Sequence, residues 1–143
     1  MIIETDFLEK CNSTLSRALT FYRDSEMESI EREMYRSACI KEFEIILEQS
    51  GKLIRKCLRP FFHSSREVDK LAFKDIFRNA NLRGLLTDEE TERWMQYRDN
   101  RNNTAHDYGV GFAEETLELL PQFIIDSKKV IEVIQQQNRN HAS

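Results

Sequence analysis

The chain has 143 residues, of which 40% are hydrophobic and 32% are charged, with only four glycines and two prolines. This length and composition are typical of one helix-rich domain with its own core, and they argue against a disordered chain or a turn-rich β protein. The formal net charge of −4 argues against a general nucleic-acid binder with a broad basic surface, so any contact with RNA must be local.

Apolar residues recur mostly every three or four positions, which predicts helices along the whole chain. The first helix is predicted from about Asp6 to Arg23. The second and longest is predicted from Ser25 to Leu58, with Glu28 completing a capping box and a proline shortly after its end. Gly51 predicts a bend or a close helix contact within it.

A third helix is predicted to start at Ser64 or Ser65 and to stop between Asn81 and Gly84. Thr87, with Glu90 three residues later, predicts the start of a fourth helix. This helix carries a tryptophan and two arginines at i, i+4 and i+7, so Trp94, Arg98 and Arg101 are expected on one face. We expect the tryptophan side chain to lie in the hydrophobic core.

Residues Asn102 to Gly111 break the apolar pattern and predict a loop. A last helix is predicted from about Leu117 to Ile134, in which Pro121 either kinks the helix or lies in the first turn of a new one. The tail from Gln135 is predicted to fray. The elements together predict an all-α fold, an up-and-down bundle of four to five helices with its core between about residues 6 and 134.

The N-terminus shows neither a basic region nor an apolar region of the signal-peptide type, and no segment approaches eighteen uncharged apolar residues. We therefore expect a cytoplasmic protein without a membrane partner. Three cysteines at wide spacings, Cys11, Cys39 and Cys57, predict buried, reduced thiols. His63 and His141 have no neighbours of the metal-ligand type, so neither a metal nor another cofactor is expected.

Groups that suit phosphate chemistry are concentrated between Tyr97 and Tyr108. The guanidinium of Arg101 stays protonated and fits phosphate oxygens in a fork, while the imidazole of His106 can move a proton near neutral pH. The pair therefore indicates phosphoryl chemistry on a nucleotide or RNA, although most such pairs on a surface are solvated or structural. Arg98 is a second candidate phosphate ligand, and the spacing favours Arg101.

A basic stripe lies at the end of the long second helix, where Lys52, Arg55, Lys56 and Arg59 are spaced i, i+3, i+4 and i+7. Such a stripe can follow an RNA backbone or face an acidic partner. Cations at a helix C-terminus also complement the helix dipole, and a solvated charged face is the commoner outcome. RNA binding by these residues therefore stays the second interpretation.

The motif resembles the HEPN superfamily (higher eukaryotes and prokaryotes nucleotide-binding). The resemblance rests on Arg101-Asn102, on the run from Thr104 to Tyr108, on Trp94 before them and on Phe43-Glu44 in the second helix. Within the superfamily it is to the small bacterial proteins encoded beside a minimal nucleotidyltransferase, which include HepT-type toxins and nucleotidyltransferase substrate-binding proteins. It covers roughly residues 6 to 134.

The resemblance implies a homodimeric helical bundle in which two copies of the motif face one cleft, with metal-independent endoribonuclease activity and no DNA partner. His106 would be general base or acid, Arg101 would bind the scissile phosphate, and Asn102 would bond to a phosphate oxygen or to the imidazole. In this branch the residue matching Tyr108 accepts AMP from the partner nucleotidyltransferase, an antitoxin, which silences the toxin.

Two other functions stay open at this point. The chain can also be interpreted as a non-catalytic subunit that recruits nucleotide or substrate to a separate nucleotidyltransferase through Arg101 and His106. It lacks a glycine-rich phosphate loop and a metal-binding carboxylate pair, so it is not itself a typical nucleotidyltransferase. A helical interaction protein whose arginines stabilise an interface is the third interpretation.

Overall fold

The computed structural model describes residues 2–104 and 110–142, and the side chains of 2–102 and 113–140. These residues form six α-helices and one short 3-10 helix, without a β-strand, which confirms the predicted all-α bundle. The α-helices are α1 (Asp6–Asp24), α2 (Ile30–Leu58), α3 (Ser65–Asp69), α4 (Phe73–Leu82), α5 (Asp88–Thr104) and α6 (Val110–Ala142). The 3-10 helix, Arg59–Phe61, follows α2.

Helix α6 runs antiparallel to α1. Near the start of the chain the backbone N–H of Ile3 donates to the side-chain oxygen of Asn138 at 2.9 Å. About halfway along both helices, Asn12 donates to the backbone carbonyl of Ile124 at 3.3 Å. Residues that come later in one helix therefore contact residues that come earlier in the other.

Helix α6 runs parallel to α2. The rings of Phe43 and Phe123 lie 4.7 Å apart between centroids, and Gln137 donates to the backbone carbonyl of Cys57 at 3.1 Å. The offset between the paired residues is 80 in both contacts. The N-terminal ends of α2 and α6 therefore lie at the same end of the bundle.

Helix α5 runs antiparallel to α6, because Arg93 pairs with Asp126 and Asn100 donates to Thr116. The C-terminal end of α5 is thus close to the N-terminal end of α6. Three features share one end of the bundle: the turn between α1 and α2, the last residues of α5 and the first residues of α6.

Aromatic rings fill the centre of the core. Trp94 of α5 is fully buried, as expected, and stacks on Phe77 of α4 with ring centroids 4.7 Å apart. Its indole ring also contacts Tyr97 edge to face. Gly51 makes the predicted close contact, since a Cβ there would lie 3.0 Å from the Phe73 ring of α4.

The predicted start of α2 is wrong by about five residues. Helix α2 begins at Ile30 with Ser29 as its N-cap, whereas Ser25 caps the end of α1 by donating to the carbonyl of Tyr22 at 2.6 Å. Glu28 has a φ of +62°, which a helix excludes, so the segment between the two helices is a turn.

Other elements also differ from the predictions. The predicted third helix is divided into α3 and α4 around Lys70–Ala72. Both ends of the predicted loop are helical, because α5 continues to Thr104 and α6 begins at Val110. Pro121 lies inside α6, not at the start of a new helix. The tail from Gln135 is helical to Ala142, because its polar side chains bond to the N-terminal segment and to α2.

Candidate active site

Two arginines on α5 face two glutamates on α2. Arg98 and Arg101 are three residues apart, and Glu48 and Glu44 are four residues apart, so each pair lies on one helix face. Arg98 Nη1 lies 2.7 Å from Glu48 Oε1, and Arg101 Nε lies 3.8 Å from Glu44 Oε1. We call these four residues the ladder.

The two rungs of the ladder differ in the distance between arginine and glutamate. Arg98 makes a hydrogen-bonded ion pair, and its guanidinium carbon lies 5.0 Å from the centre of the Phe73 ring. The Arg101–Glu44 distance is longer than a hydrogen bond, and the Arg101 side chain is 32% exposed. A phosphate oxygen can therefore compete with Glu44 for the guanidinium of Arg101 more readily than with Glu48 for that of Arg98.

The structure places only part of the predicted catalytic set. Arg101 is in the last turn of α5, and the side chain of Asn102 beside it is exposed. His106 and Tyr108 lie outside the described residues, so their predicted roles stay predictions. In sequence, His106 is two residues after Thr104, the last described residue of α5.

The predicted basic stripe on α2 is not a uniform cationic surface. Arg55 donates to the backbone carbonyl of Leu71 at 2.9 Å, and Arg59 lies 3.7 Å from Asp69. Lys52 and Lys56 are exposed. Lys52 is one turn after Glu48 on the same face of α2, so it is the member of the stripe that adjoins the ladder.

A buried carboxylate joins the first half of α5 to α6. Asp126 is 2% exposed and accepts two hydrogen bonds from Arg93, at 2.8 and 2.9 Å, and one from the hydroxyl of Tyr97 at 2.5 Å. Gln122 also donates to it, at 3.2 Å. Burial, together with the bond to Asp126, raises the pKa of Tyr97. The bonds to Asp126 raise the pKa of Arg93.

A second buried polar contact lies further along α5. Asn100 donates to the hydroxyl of Thr116 on α6 at 2.8 Å, and both residues are buried. The C-terminal half of α5 is therefore fixed on two sides, by the ladder against α2 and by Asn100 against α6. This arrangement sets the position of Arg101 relative to the start of α6.

The three cysteines are buried and carry free thiols, as predicted. Burial raises the pKa of Cys39 to about 11 and that of Cys57 to about 12. Burial also raises the pKa of Cys11, and the nearby carboxylate of Glu42 acts in the same direction. At neutral pH these thiols are protonated members of the core.

Two other kinds of site are absent from the described residues. In residues 2–104 and 110–142, no three side chains of the His, Cys, Asp or Glu types are grouped so that they could hold a metal ion. Across the same ranges, none of the helices combines the length and apolar character that crossing a membrane requires.

Comparison with known proteins identifies the family. A sequence model of the family described as nucleotidyltransferase substrate binding protein like matches residues 4–136. The chain belongs to this family. Along 111 residues it is 31% identical to the probable ribonuclease HepT of Haemophilus influenzae, a match that covers 78% of this chain and 75% of the relative.

Solved structures share the fold of this chain. A Haemophilus influenzae protein, described as showing the fold of a substrate binding domain of a nucleotidyltransferase, superimposes with a TM-score of 0.78 at 25% identity. That match covers 92% of this chain and 99% of the other. A protein from Thermus thermophilus gives a TM-score of 0.70 at 26% identity, covering 89% and 98%. The resemblance inferred from the motif, to the HepT-type branch, is confirmed.

Sequence reasoning missed two parts of the site. In the sequence, Glu44 and Glu48 are two acids one helical turn apart on α2, just as Arg98 and Arg101 are about one turn apart on α5. Only the fold shows that α2 is the helix that faces these arginines. The role of Asp126 had one signal, a lone carboxylate directly after the apolar run from Phe123 to Ile125. Buried charges need partners, so such a residue indicates a buried ion pair.

Proposed function

We propose that this protein is a homodimeric endoribonuclease that needs no metal ion, and that it is the toxin of a two-protein module. The observation that carries the proposal is the 31% identity to a protein named as a probable ribonuclease, in a chain that has Arg101 and His106. The position of Arg101 in the last turn of α5, opposite a displaceable carboxylate, supports a role in binding phosphate.

RNA carries its own nucleophile, so the protein has to supply proton transfer and charge stabilisation. The 2′-oxygen attacks the adjacent phosphorus and loses its proton to a base. The bond from phosphorus to the 5′-oxygen breaks, and an acid protonates that oxygen, which leaves a 2′,3′-cyclic phosphate and a 5′-hydroxyl. Two proton transfers suit two imidazoles, His106 of one protomer and its counterpart in a second protomer.

Arg101 and Asn102 would hold the phosphate during this step. The guanidinium fork of Arg101 exchanges Glu44 for two phosphate oxygens and stabilises the negative charge that builds up on them. Asn102, exposed on the next position of α5, donates to a phosphate oxygen or to the imidazole. Arg98 stays on Glu48 and keeps α5 in register with α2.

Regulation would come from a partner nucleotidyltransferase that acts as the antitoxin. The phenolic oxygen of Tyr108 attacks the α-phosphorus of ATP and loses its proton, and pyrophosphate leaves. The resulting AMP ester adds bulk and negative charge seven residues after Arg101 in the sequence. It therefore competes with the substrate phosphate for the same cation.

Cleavage of total RNA or tRNA in the presence of EDTA tests the ribonuclease proposal. We expect the wild type to cut and the double variant Arg101→Ala/His106→Ala to be at least about 100-fold slower, since positioned proton transfer contributes about 10²- to 10⁴-fold. Lys128→Ala/Lys129→Ala, which removes two exposed cations of α6, is the control and should cut like the wild type. Equal rates for all three proteins would contradict the proposal.

Mass spectrometry of Tyr108 tests the regulatory part. The chain is co-expressed with the nucleotidyltransferase encoded by the neighbouring reading frame, and the Tyr108 peptide is compared with that from the chain expressed alone. We expect an AMP adduct on Tyr108 and loss of RNA cleavage after co-expression. An unmodified Tyr108 in a protein that has lost activity would mean that the partner inhibits by binding alone.

The second candidate is a non-catalytic subunit that binds nucleotide or substrate for a nucleotidyltransferase. It is favoured by the structural match to a protein described as such a substrate binding domain. In that case calorimetry would show tight binding of ATP that Arg101→Ala abolishes, the chain would be harmless when expressed alone, and RNA would stay intact.

A further inference from the structure

The turn between α1 and α2 carries apolar side chains that no part of the described chain covers. Met27 in the turn is 76% exposed, Ile30 and Met34 in the first turns of α2 are 72% and 64% exposed, and Phe21 at the end of α1 is 49% exposed. A set of large apolar side chains grouped on a surface marks an interaction site. We call these four residues the hairpin surface.

A groove with an aromatic wall and an acidic lining adjoins the hairpin surface and shares Phe21 with it. The rings of Phe21 and Tyr35 are 5.4 Å apart between centroids, and the groove has a volume of about 360 Å³. Three carboxylates line it, Asp24, Glu26 and Glu31, and none of its described lining residues is basic. This combination suits an arginine or lysine side chain, whose stem packs on the rings while its charge meets the carboxylates.

Arg32, on the adjacent part of α2, is not among the residues that line the groove. Its guanidinium donates to the carbonyls of Tyr22 and Ser25, at 2.9 and 3.1 Å, and lies 4.1 Å from the centre of the Tyr22 ring. The cation thus caps the end of α1, and one of the two residues whose carbonyls it bonds, Ser25, lines the groove. The groove is therefore complementary to a basic group from another molecule.

The hairpin surface lies at the end of the bundle where α5 ends and α6 begins. Ile30 and Met34 precede Glu44 and Glu48 by fourteen residues each, close to four helical turns, so they share a face of α2 with the ladder. An enzyme that acts on Tyr108 acts between the last described residue of α5 and the first of α6. Such an enzyme must approach this end.

We infer that the hairpin surface docks a protein that inserts an arginine or lysine into the groove and covers Met27, Ile30 and Met34 with apolar side chains. We identify this protein as the nucleotidyltransferase partner, an identification that rests on the proposed function. Aromatic and apolar contacts hold the centre of the interface, and the carboxylates select the partner by charge.

Two other occupants fit the surface less well. An RNA backbone would meet carboxylates of its own charge. A second copy related by two-fold symmetry would bring the same patch against itself. The interface would then contain Asp24, Glu26 and Glu31 of both copies, and none of the described residues that line the groove is basic. A basic protein partner avoids both penalties.

Calorimetric titration with the purified nucleotidyltransferase of the neighbouring reading frame tests the inference. Glu26→Lys/Glu31→Lys reverses the charge of the groove, and Ile30→Ser/Met34→Ser removes the apolar contacts. We expect each double variant to raise the Kd at least about 10-fold, a loss of about 1.4 kcal/mol. Binding by the wild type should weaken as salt is added.

The matched control is Glu89→Lys/Glu132→Lys, which reverses two exposed charges far from the hairpin surface, at the start of α5 and in the second half of α6. It should bind within about two-fold of the wild type. The substituted side chains are all exposed, and thermal unfolding confirms that each variant is folded. Equal affinities for all proteins, or no binding by the wild type, overturn the inference.

Two further readouts separate the possible failures. Sedimentation shows whether Ile30→Ser/Met34→Ser converts a dimer to a monomer without changing nucleotidyltransferase binding, which would assign the surface to a second copy and overturn the inference. Modification of Tyr108 is followed in the same mixtures. If the hairpin variants weaken binding but Tyr108 is not modified in any mixture, only the proposed regulation is refuted. If Tyr108 is modified equally in the wild type and in the hairpin variants, only the docking surface is refuted.

Discussion

Helix α5 carries two kinds of arginine–carboxylate contact, and their difference separates stability from function. Arg93 meets Asp126 with two hydrogen bonds, and that carboxylate is 2% exposed. Arg101 meets Glu44 at 3.8 Å, and both side chains are about a third exposed. The chemistry of the groups is the same, so burial and distance determine what each contact does.

Water cannot replace the hydrogen bonds that a buried carboxylate loses, so the Arg93–Asp126 contact is fixed once the protein folds. An ion pair with both side chains about a third exposed contributes little to stability, and its partners can be replaced. The first contact therefore keeps α5 on α6, and the second leaves a guanidinium that can change from a glutamate to a phosphate.

The largest effect on stability is expected from Asp126→Ala. The change leaves the Tyr97 hydroxyl buried without its acceptor and removes both bonds of Arg93, so the free energy of unfolding should fall by about 3 kcal/mol. Urea unfolding followed by circular dichroism measures this. A loss below about 1 kcal/mol would place Asp126 in the same class as the exposed carboxylates.

Arg101→Lys should lower RNA cleavage by about 100-fold while changing the free energy of unfolding by less than about 1 kcal/mol. Lysine keeps the positive charge but lacks the fork that binds two phosphate oxygens. Initial rates on RNA and urea unfolding give the two quantities. Arg98→Lys is the control and should lower the rate much less; an equal or larger loss would make Arg98 the phosphate ligand.

Stability should also fall as the pH rises above about 9, because α2 carries thiols on its buried face. The pKa values of Cys39 and Cys57 are raised to about 11 and about 12 in the folded protein, whereas the unfolded thiols ionise near 9. The unfolded state therefore loses protons first, and each thiol lowers the free energy of unfolding by about 1.4 kcal/mol at about pH 10.

Urea unfolding at about pH 8 and about pH 10 measures this loss. The double variant Cys39→Ala/Cys57→Ala should be less stable at both values but should lose less stability between them. An identical loss in the wild type and the double variant would show that other groups, such as Tyr97, control the alkaline transition.

The smallest effect is expected from Glu48→Gln on the exposed side of α2. Its ion pair with Arg98 is short, but the Glu48 side chain is half exposed, so the free energy of unfolding should change by less than about 1 kcal/mol. High salt should abolish the difference from the wild type. A loss that survives high salt would mean that this rung of the ladder resembles the Arg93–Asp126 contact.

Local signals in the sequence were sufficient where neighbouring residues decide the structure. The capping box at the start of α5 is present as predicted: the backbone N–H of Glu90 donates to the Thr87 hydroxyl at 3.1 Å, and the Glu90 carboxylate accepts from the backbone N–H of Thr87 at 2.8 Å. The apolar repeat also predicted α1 to within one residue at its end. Both depend on contacts within one or two helical turns.

Predictions failed where distant residues decide. The tail was expected to fray because it is polar, yet Gln137 and Asn138 bond to residues more than seventy positions away. Ser25 and Glu28 have the spacing of a capping box, but the turn that brings α2 back onto α1 uses both residues. The spacing of neighbouring residues predicts neither the helical tail nor the turn between α1 and α2.

By itself the sequence determined the helical fold, the burial of Trp94 and of the thiols, and the motif that carries the family resemblance. Each follows from a period, a composition or a spacing, which are properties of nearby residues. Only the tertiary structure decided that Arg101 meets Glu44, that Asp126 is buried between α5 and α6, and that the hairpin surface shares an end of the bundle with the last turn of α5. Those contacts join residues far apart in the chain, and their geometry exists only after the helices have packed.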